Sequence, residues 1–346
     1  MAHRFLIKEI ALQAGVGVAT VDRVLNGRAH VREGTRRRVE QAIRELEKQE
    51  IQLAATGRKL VIDVVAEAPS RFSTEIQEAL EGELPGLHPA VLRPRFLMRE
   101  TMTTVEVVEA LRSIARRGSH GVLLKARDVT EISEAIGELK TMGIPVVTTF
   151  TDIPLSGRIA YAGLDNRVAG ATAAYLIGQW LGGTVGTVLI TMSDEGFKGE
   201  EEREASFRRA LRVSHPNLSL LDASGGHGLN LQTEERMRKV VTTRSRIAAV
   251  YSMGGGNAAV LKVLEAAKQN PICFIGHDLD RDNVGLLLRG KVQAILHHEL
   301  RQDVRSACQH IMHFHRLIPA SAIAPSSSVV VVTPANIPEG IVSRFR

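Results

Sequence analysis

Residues 6–28 read LIKEIALQAGVGVATVDRVLNGR, and this stretch decides the first part of the fold. Two short amphipathic segments, Ile7–Gln13 and Val18–Leu25, flank Ala14-Gly15-Val16. Helical spacing turns Ile10 and Ala11 of the first segment inward, toward Val21 and Val24 of the second. Ala14 is small enough for two helices to approach closely. Gly15 supplies the backbone freedom to leave the first helix, and Val16 plugs the corner. This is the layout of a helix-turn-helix, whose second helix enters the DNA major groove. Thr20, Asp22, Arg23, Asn26 and Arg28 carry groups that reach phosphates or base edges. A helical hairpin in an enzyme core has the same outline, so charge matters. Residues 1–60 hold 12 Lys and Arg against 7 acids, a net +5 of the chain's +6. The other 286 residues are nearly neutral. A local basic excess is the footprint of a DNA-binding module.

The wording of the turn sharpens this. AGVGVATVDRVLNGR resembles the opening of the lactose-repressor (LacI) family, roughly AGVSxxTVSRVLNG, and VREGTRRRVEQAIREL resembles that family's third helix. The resemblance implies that Val18 and Ala19 occupy the two positions that most vary operator choice, and that Arg23 is the guanine reader. Two positions depart from the pattern. Gly17 replaces a Ser that caps the recognition helix, which costs only a few tenths of a kcal/mol. Asp22 replaces a Ser that would touch phosphate. An acid there is repulsive unless it pairs with Arg23, accepts from a cytosine amine or points away. The hinge departs more. In EKQEIQLAATGRKL, Glu50 stands for the usual Pro and Gly57 for the leucine that wedges the minor groove, with Leu53 the nearest apolar residue. Glycine cannot unstack a base step. The segment then either leaves DNA unkinked, forms no stable helix or is a plain linker.

A chain of 346 residues suits a small domain plus one larger or two medium units. We expect a DNA-binding head at 1–48, a hinge at 49–59 and a two-lobed effector domain at 60–346. Lobe 1 is expected at about 60–162 plus 292–322, and lobe 2 at about 163–291 plus 323–346. Two cysteines, Cys273 and Cys308, imply neither a disulfide framework nor a zinc knuckle. The opening MAHRFLIKEI has no apolar signal-peptide core, and no run has the length of a membrane span. A cytoplasmic protein is expected.

From Lys59 onward, apolar strands alternate with helices. Strands are predicted at Leu60–Ala66, Val91–Leu97, Gly121–Lys125, Pro145–Thr149 and Ile159–Ala162. Six more are predicted at Val185–Thr191, Leu218–Ala223, Ala248–Ser252, Ile272–His277, Val292–His297 and Val329–Thr333. This pattern predicts an α/β fold of doubly wound parallel sheets with right-handed crossovers. Two such units in series resemble the type I periplasmic sugar-binding fold, which the LacI family uses as its effector domain. Ligand is then expected between the lobes, at the C-terminal strand ends.

Through that resemblance Asp278 corresponds to an acid that accepts from sugar hydroxyls, Arg203 to a ligand-holding arginine, and His298 to a position often held by Gln. Phe72 follows the first strand, where its ring can stack on a pyranose face. Phe150, Asp152, Asp165 and Asn257 complete the candidate set, with Asn166 and Lys125 as further strand-end candidates. Aromatic residues are only 4% of the chain, so a small sugar or polyol fits better than a large apolar effector. Arg71 and Lys125 beside Arg203 keep an acidic or phosphorylated sugar open. Glu200-Glu201-Glu202 reads as a solvated first helical turn that complements the dipole. Gly254-Gly255-Gly256 lacks the spacing of a nucleotide-binding loop, and no metal or cofactor site is evident. The expected protein is a non-enzymatic repressor, a homodimer on a pseudo-palindromic double-stranded DNA operator, whose affinity a small ligand controls. The alternatives are a soluble sugar-binding protein and an α/β nucleotide-binding enzyme.

Overall fold

The computed structural model describes residues 5–28, 31–55 and 58–345. Three helices come first: α1 (Ile7–Ala14), α2 (Val18–Leu25) and α3 (Glu33–Ala55). Ile10, Ala11, Ala14 and Val21 pack against Val39 and Ala42 of α3, with Val16 and Val24 at the edge. Gly15 ends α1 at φ 62°, a left-handed conformation that costs glycine little. Gly17 caps α2 without a side-chain acceptor, as the sequence implies.

The segment expected to begin the hinge is helical: α3 continues without a break to Ala55. Residues 49–55, QEIQLAA, contain neither Pro nor Gly and are mostly good helix formers, so nothing stops the helix at the expected boundary. The wedge position, Gly57, lies outside the described residues.

The first α/β unit contains β1 (Lys59–Glu67), α4 (Ser70–Glu83), a 3-10 turn (Leu84–Gly86), β2 (Val91–Arg99), α5 (Thr104–Arg117), β3 (Gly121–Lys125), α6 (Thr130–Thr141), β4 (Val146–Thr149) and β5 (Ala160–Ala162). Its sheet has the order β2-β1-β3-β4-β5, and every pairing is parallel. The second unit runs α7 (Asn166–Leu181), β6 (Gly186–Thr191), α8 (Lys198–Ser214), β7 (Leu218–Asp222), α9 (Asn230–Val240), β8 (Ile247–Ser252), α10 (Asn257–Ala266), β9 (Cys273–His277), α11 (Arg281–Leu288) and β10 (Ala294–His297). After α12 (Leu300–Phe314) and a 3-10 turn (Ala320–Ala322) come β11 (Val330–Val332) and α13 (Glu339–Phe345). The second sheet has the order β11-β10-β9-β8-β6-β7, with only β11 antiparallel. Near-continuous buried apolar runs such as Leu60–Val65 and Ile247–Tyr251 form these strands because helices cover both faces.

The return to lobe 1 falls later than expected. β10 falls in the span expected for the first lobe but pairs with β9 in the second sheet. Only α12 crosses, and Leu300, Val304, Ala307, Cys308 and Ile311 bury against Leu60, Ile62 and Val147. The crossing thus occurs at His298–Glu299, where apolar alternation gives way to a helical face. Sequential strands alone do not mark it.

Candidate functional site

The C-terminal strand ends of the two sheets face each other across one cleft, as the switch-point rule for open α/β sheets requires. The first lobe contributes Glu67, Arg71, Phe72, Glu100, Lys125, Phe150 and Thr151. The second contributes Ser193, Phe197, Glu200, Arg203, His227, Met253, Gly254, Gly255, His277, Asp278 and Asp280, and His298 lies at the crossing. The empty space between the lobes, open mouth included, is about 780 Å³.

Backbone strain marks two strand ends. Phe150 and Asp278 both adopt positive φ, 64° and 65°. For residues other than Gly this region is costly and clusters at functional sites. Asn283 holds the second by donating from Nδ2 to the carbonyls of His277 and Asp278, each at 2.8 Å. Asn257 Nδ2 in turn donates to Asn283 Oδ1 at 2.7 Å.

Arg203 is buried on α8, its Nε donating to Asn166 Oδ1 at 2.7 Å and Nη1 to the Met253 carbonyl at 3.0 Å. His298 is fully buried, with Nδ1 2.5 Å from Asp303 Oδ2 and Nε2 3.4 Å from Asp278 Oδ1. Burial opposes the charge on His298, yet Asp278 and Asp303 push it up to about 9. Burial alone would raise the Asp278 carboxyl. His298 and then Arg203 outweigh it and hold that group well below the usual carboxylate range. Burial, aided by Arg203, drives His277 well below its ordinary value, so its ring is neutral.

Five expected ligand residues line the cleft: Phe72, Phe150, Arg203, Asp278 and His298. The rings of Phe72 and Phe150 meet edge to face at 5.5 Å. Three expected residues do not line it. Asp152 accepts from Arg158 Nη2 at 2.6 Å and Thr148 Oγ1 at 2.7 Å. Asp165 caps α7 by accepting from the amides of Arg167 and Val168. Asn257 is buried behind the Asp278 loop.

Glu200 also differs from its reading as a solvated residue. Its carboxylate accepts from the Ser193 amide and hydroxyl, both at 2.6 Å, and lines the cleft. Glu67 was not foreseen. It ends β1, is 3% exposed, and accepts from Arg127 Nη2 at 2.7 Å. Its Oε2 has no hydrogen-bond donor among the described residues, and the Asp278 Oδ1 has only the long contact to His298 Nε2 at 3.4 Å. A carboxylate closing a buried strand at a switch point was the available signal.

On the head, Asp22 takes up neighbours rather than Arg23. Asn26 Nδ2 donates to its Oδ1 at 2.8 Å, and Arg28 Nη1 lies 3.4 Å from its Oδ2. Val18, Ala19 and Arg23 are exposed, and Thr20 is half-buried.

Residues 6–47 match the bacterial regulatory proteins of the lacI family, and residues 100–312 match the periplasmic binding protein domain. The chain is 33% identical over 125 residues to the HTH-type transcriptional regulator TreR of Salmonella typhimurium, a match spanning 36% of this chain and 39% of that protein. In structure it is similar to GanP, a glucose-galactose binding protein from Geobacillus stearothermophilus, with a TM-score of 0.71 and 20% identity over 81% of this chain and 99% of that one. It is also similar to an ABC transporter solute-binding protein from Burkholderia graminis in complex with D-arabinose. The TM-score there is 0.72, with 20% identity over 82% of this chain and 98% of that one.

Proposed function

Since the chain belongs to the lacI family of bacterial regulatory proteins and carries a periplasmic binding protein domain, we propose that it is a cytoplasmic transcriptional repressor whose operator affinity is set by a small polyhydroxy ligand. The observation that carries the reading is one chain holding both an exposed recognition helix, α2, and a two-lobed cleft lined with unpaired hydrogen-bond acceptors.

The head acts as one of a pair on a pseudo-palindromic operator, with α2 in the major groove. Arg23 is its principal base reader. Val18 and Ala19 are restricted to thymine methyls or steric exclusion. Asp22 is compatible with DNA because Arg28 and Asn26 compensate it within the head.

The effector is a neutral sugar or polyol. Lining acids Glu67, Glu100, Glu200, Asp278 and Asp280 face lining cations Arg71, Lys125 and Arg203, with His298 protonated. All three of those cations are engaged already, Arg203 with Asn166 and the Met253 carbonyl. Arg71 Nε donates to Asp280 at 2.8 Å, and Lys125 Nζ donates to the Glu67 carbonyl at 2.8 Å while lying 4.2 Å from the Phe197 ring centroid. This balance disfavours the acidic or phosphorylated sugar that Arg71 and Lys125 suggest in sequence. Hydroxyls donating to Glu67 Oε2 and Asp278 Oδ1 would supply donors that burial otherwise denies them. Phe72 and Phe150 offer an apolar wall.

Ligand between the lobes shifts the population of closed effector domain, and DNA affinity changes by the coupling free energy, about 1–3 kcal/mol. We take ligand to weaken operator binding. A gel shift on operator fragments, with and without neutral monosaccharides and polyols, tests this. Retardation that a sugar abolishes supports the reading. Equal affinity for operator and random DNA contradicts it.

A further inference from the structure

We infer that His298 is a positioning residue rather than a ligand donor: a fixed imidazolium that ties the cleft carboxylate Asp278 to the crossover between the lobes through Asp303. The inference rests on the reading of Asp278 as an acceptor for the effector, and adds how that acceptor communicates with the hinge.

The geometry is specific. His298 sits where the chain leaves the second sheet after β10 and enters α12, which packs on the first. Its two ring nitrogens face two carboxylates, one on each lobe: Asp278 after β9, and Asp303 on α12. Asp303 is fully buried. Its second oxygen accepts from the Ser327 amide at 3.3 Å, within the segment by which the chain returns to the second lobe. Three further bonds secure that segment to α12. Gln302 Nε2 donates to the Pro325 carbonyl at 2.9 Å, Ser306 Oγ to the Ala324 carbonyl at 2.9 Å, and the Ala324 amide to Gln309 Oε1 at 2.7 Å. One imidazole thus joins a cleft wall to the crossing into α12 and to the segment that leads back to the second lobe.

Both ring nitrogens must carry protons to serve both carboxylates. A neutral ring donates to only one of them; if that is Asp303, which also accepts from the Ser327 amide, Asp278 Oδ1 is left without a donor. The Asp278 Oδ1 that faces His298 has no full hydrogen bond, so only the charge of the ring restrains it. When a hydroxyl donates there, Asp278 and His298 share their interaction with the ligand, and the change reaches Asp303 and Ser327 directly.

The other charged and titratable groups around this assembly include His277 on β9, His297 on β10, Arg203 on α8, Lys125 on β3, Tyr161 on β5 and Asp280 after β9. Burial holds His277 and His297 neutral, and neither ring makes a hydrogen bond to Asp278 Oδ1. Arg203 spends its Nε and Nη1 on Asn166 and Met253.

The test uses the full-length protein without DNA or sugar. Nitrogen-15 NMR of the histidine rings follows protonation from pH 6 to 11, with the His298 signals assigned by their loss in His298→Gln. Spin labels at Glu109→Cys and Gln232→Cys, both exposed and on different lobes, report the lobe separation. Native Cys273 and Cys308 are buried. In the wild type both His298 nitrogens carry protons at pH 7.5 and titrate near pH 9, and the lobe distance changes over the same interval. In Asp303→Asn the midpoint falls toward about 6.5. In His298→Gln the lobe distance does not respond to pH over that interval. A His298 ring with one protonated nitrogen at pH 7.5 overturns the inference, as does a pH-dependent lobe distance unchanged in either variant. Because neither readout involves DNA, such a failure leaves the regulatory proposal standing.

Discussion

Arg71, at the start of α4 in the first lobe, donates from Nε to Asp280 Oδ2 at 2.8 Å in the second lobe. Its Nη2 also donates to the Gly228 carbonyl at 2.7 Å. The pair spans the mouth of the cleft, with Arg71 20% and Asp280 7% exposed. It holds the lobes together, and a second bridge, Arg127 to Asp194 at 3.0 Å, acts in the same sense.

Arg71→Ala should therefore weaken effector binding by about 10-fold, ~1.4 kcal/mol, and widen the lobe separation seen by small-angle scattering. An unchanged affinity and radius would remove Arg71 from the closure. The effect should depend on pH. Burial pushes the Asp280 carboxyl up to about 6, against the pull of Arg71. As pH falls through 6 the carboxylate is protonated, the latch loses its charge, and ligand affinity should drop in calorimetry. Global stability follows the opposite sign for this group. Its raised folded pKa contributes stability below the unfolded value, about 3.9, and that contribution is lost as pH rises through 6.

Asp278→Ala removes a cleft-lining carboxylate whose Oδ1 has only the long contact to His298. Hydrogen bonds to charged groups contribute about 1.5–3 kcal/mol, so calorimetry should show the effector weakened by roughly 10- to 100-fold. Full affinity in this variant would show that the ligand sits elsewhere.

Arg23 is exposed on α2, and no described side chain pairs with it. Arg23→Ala should cost about 1–3 kcal/mol of operator affinity and relax base choice at one position of each half-site. Fluorescence anisotropy on operator and single-base variants measures both. Uniform weakening across all sequences would assign Arg23 to phosphate.

Asp22→Ala frees Arg28 and Asn26 to face the DNA backbone. The exposed ion pair contributes at most about 1 kcal/mol to the head, so thermal unfolding should barely move. Affinity for DNA of any sequence should rise, and the salt dependence should steepen by about one released counterion. A weaker, less salt-sensitive complex would mean that Asp22 itself contacts a base.

Gly170 lets α7 and α8 meet. A methyl group at that position would lie within 2.1 Å of the Arg203 carbonyl oxygen. Gly170→Ala should destabilise the effector domain by about 1–3 kcal/mol, read as a lower midpoint in denaturant. It should also weaken ligand binding, since the shift displaces Arg203. A variant with wild-type midpoint and affinity would show that the two helices are free to separate.

The strands were legible in the sequence because each is a short apolar run bounded by turn residues, and both sheets formed where those runs fell. The turn of the head was legible for a similar reason, since Ala14, Gly15 and Val16 each answer a local steric demand. Less legible was whatever depends on partners distant in sequence. Asp152 stands near a strand end, as a ligand residue would, but Arg158 and Thr148 occupy it. Asp165 is consumed by the amides of its own helix. Glu200 looks like a solvated acid until the chain brings Ser193 to it. His298 reads as a substitute for an amide donor, and only the placement of Asp303 and Asp278 on either side reveals a buried cation. In the hinge, the missing proline is plain in the sequence, but its consequence, a third helix reaching Ala55, follows from propensity rather than from the family pattern.

The central claim is that ligand in the cleft controls DNA binding by the head. The most direct test is fluorescence anisotropy of the full-length protein on a DNA fragment selected by it from a random pool, titrated with and without neutral monosaccharides and polyols. The selected sequence should have two-fold symmetry and be bound well above random DNA, and a sugar should change its affinity by about 5- to 150-fold. The same sugar should have no effect on operator binding by Asp278→Ala. A selected site whose affinity every sugar leaves unchanged, or an Asp278→Ala variant that responds like the wild type, would contradict it.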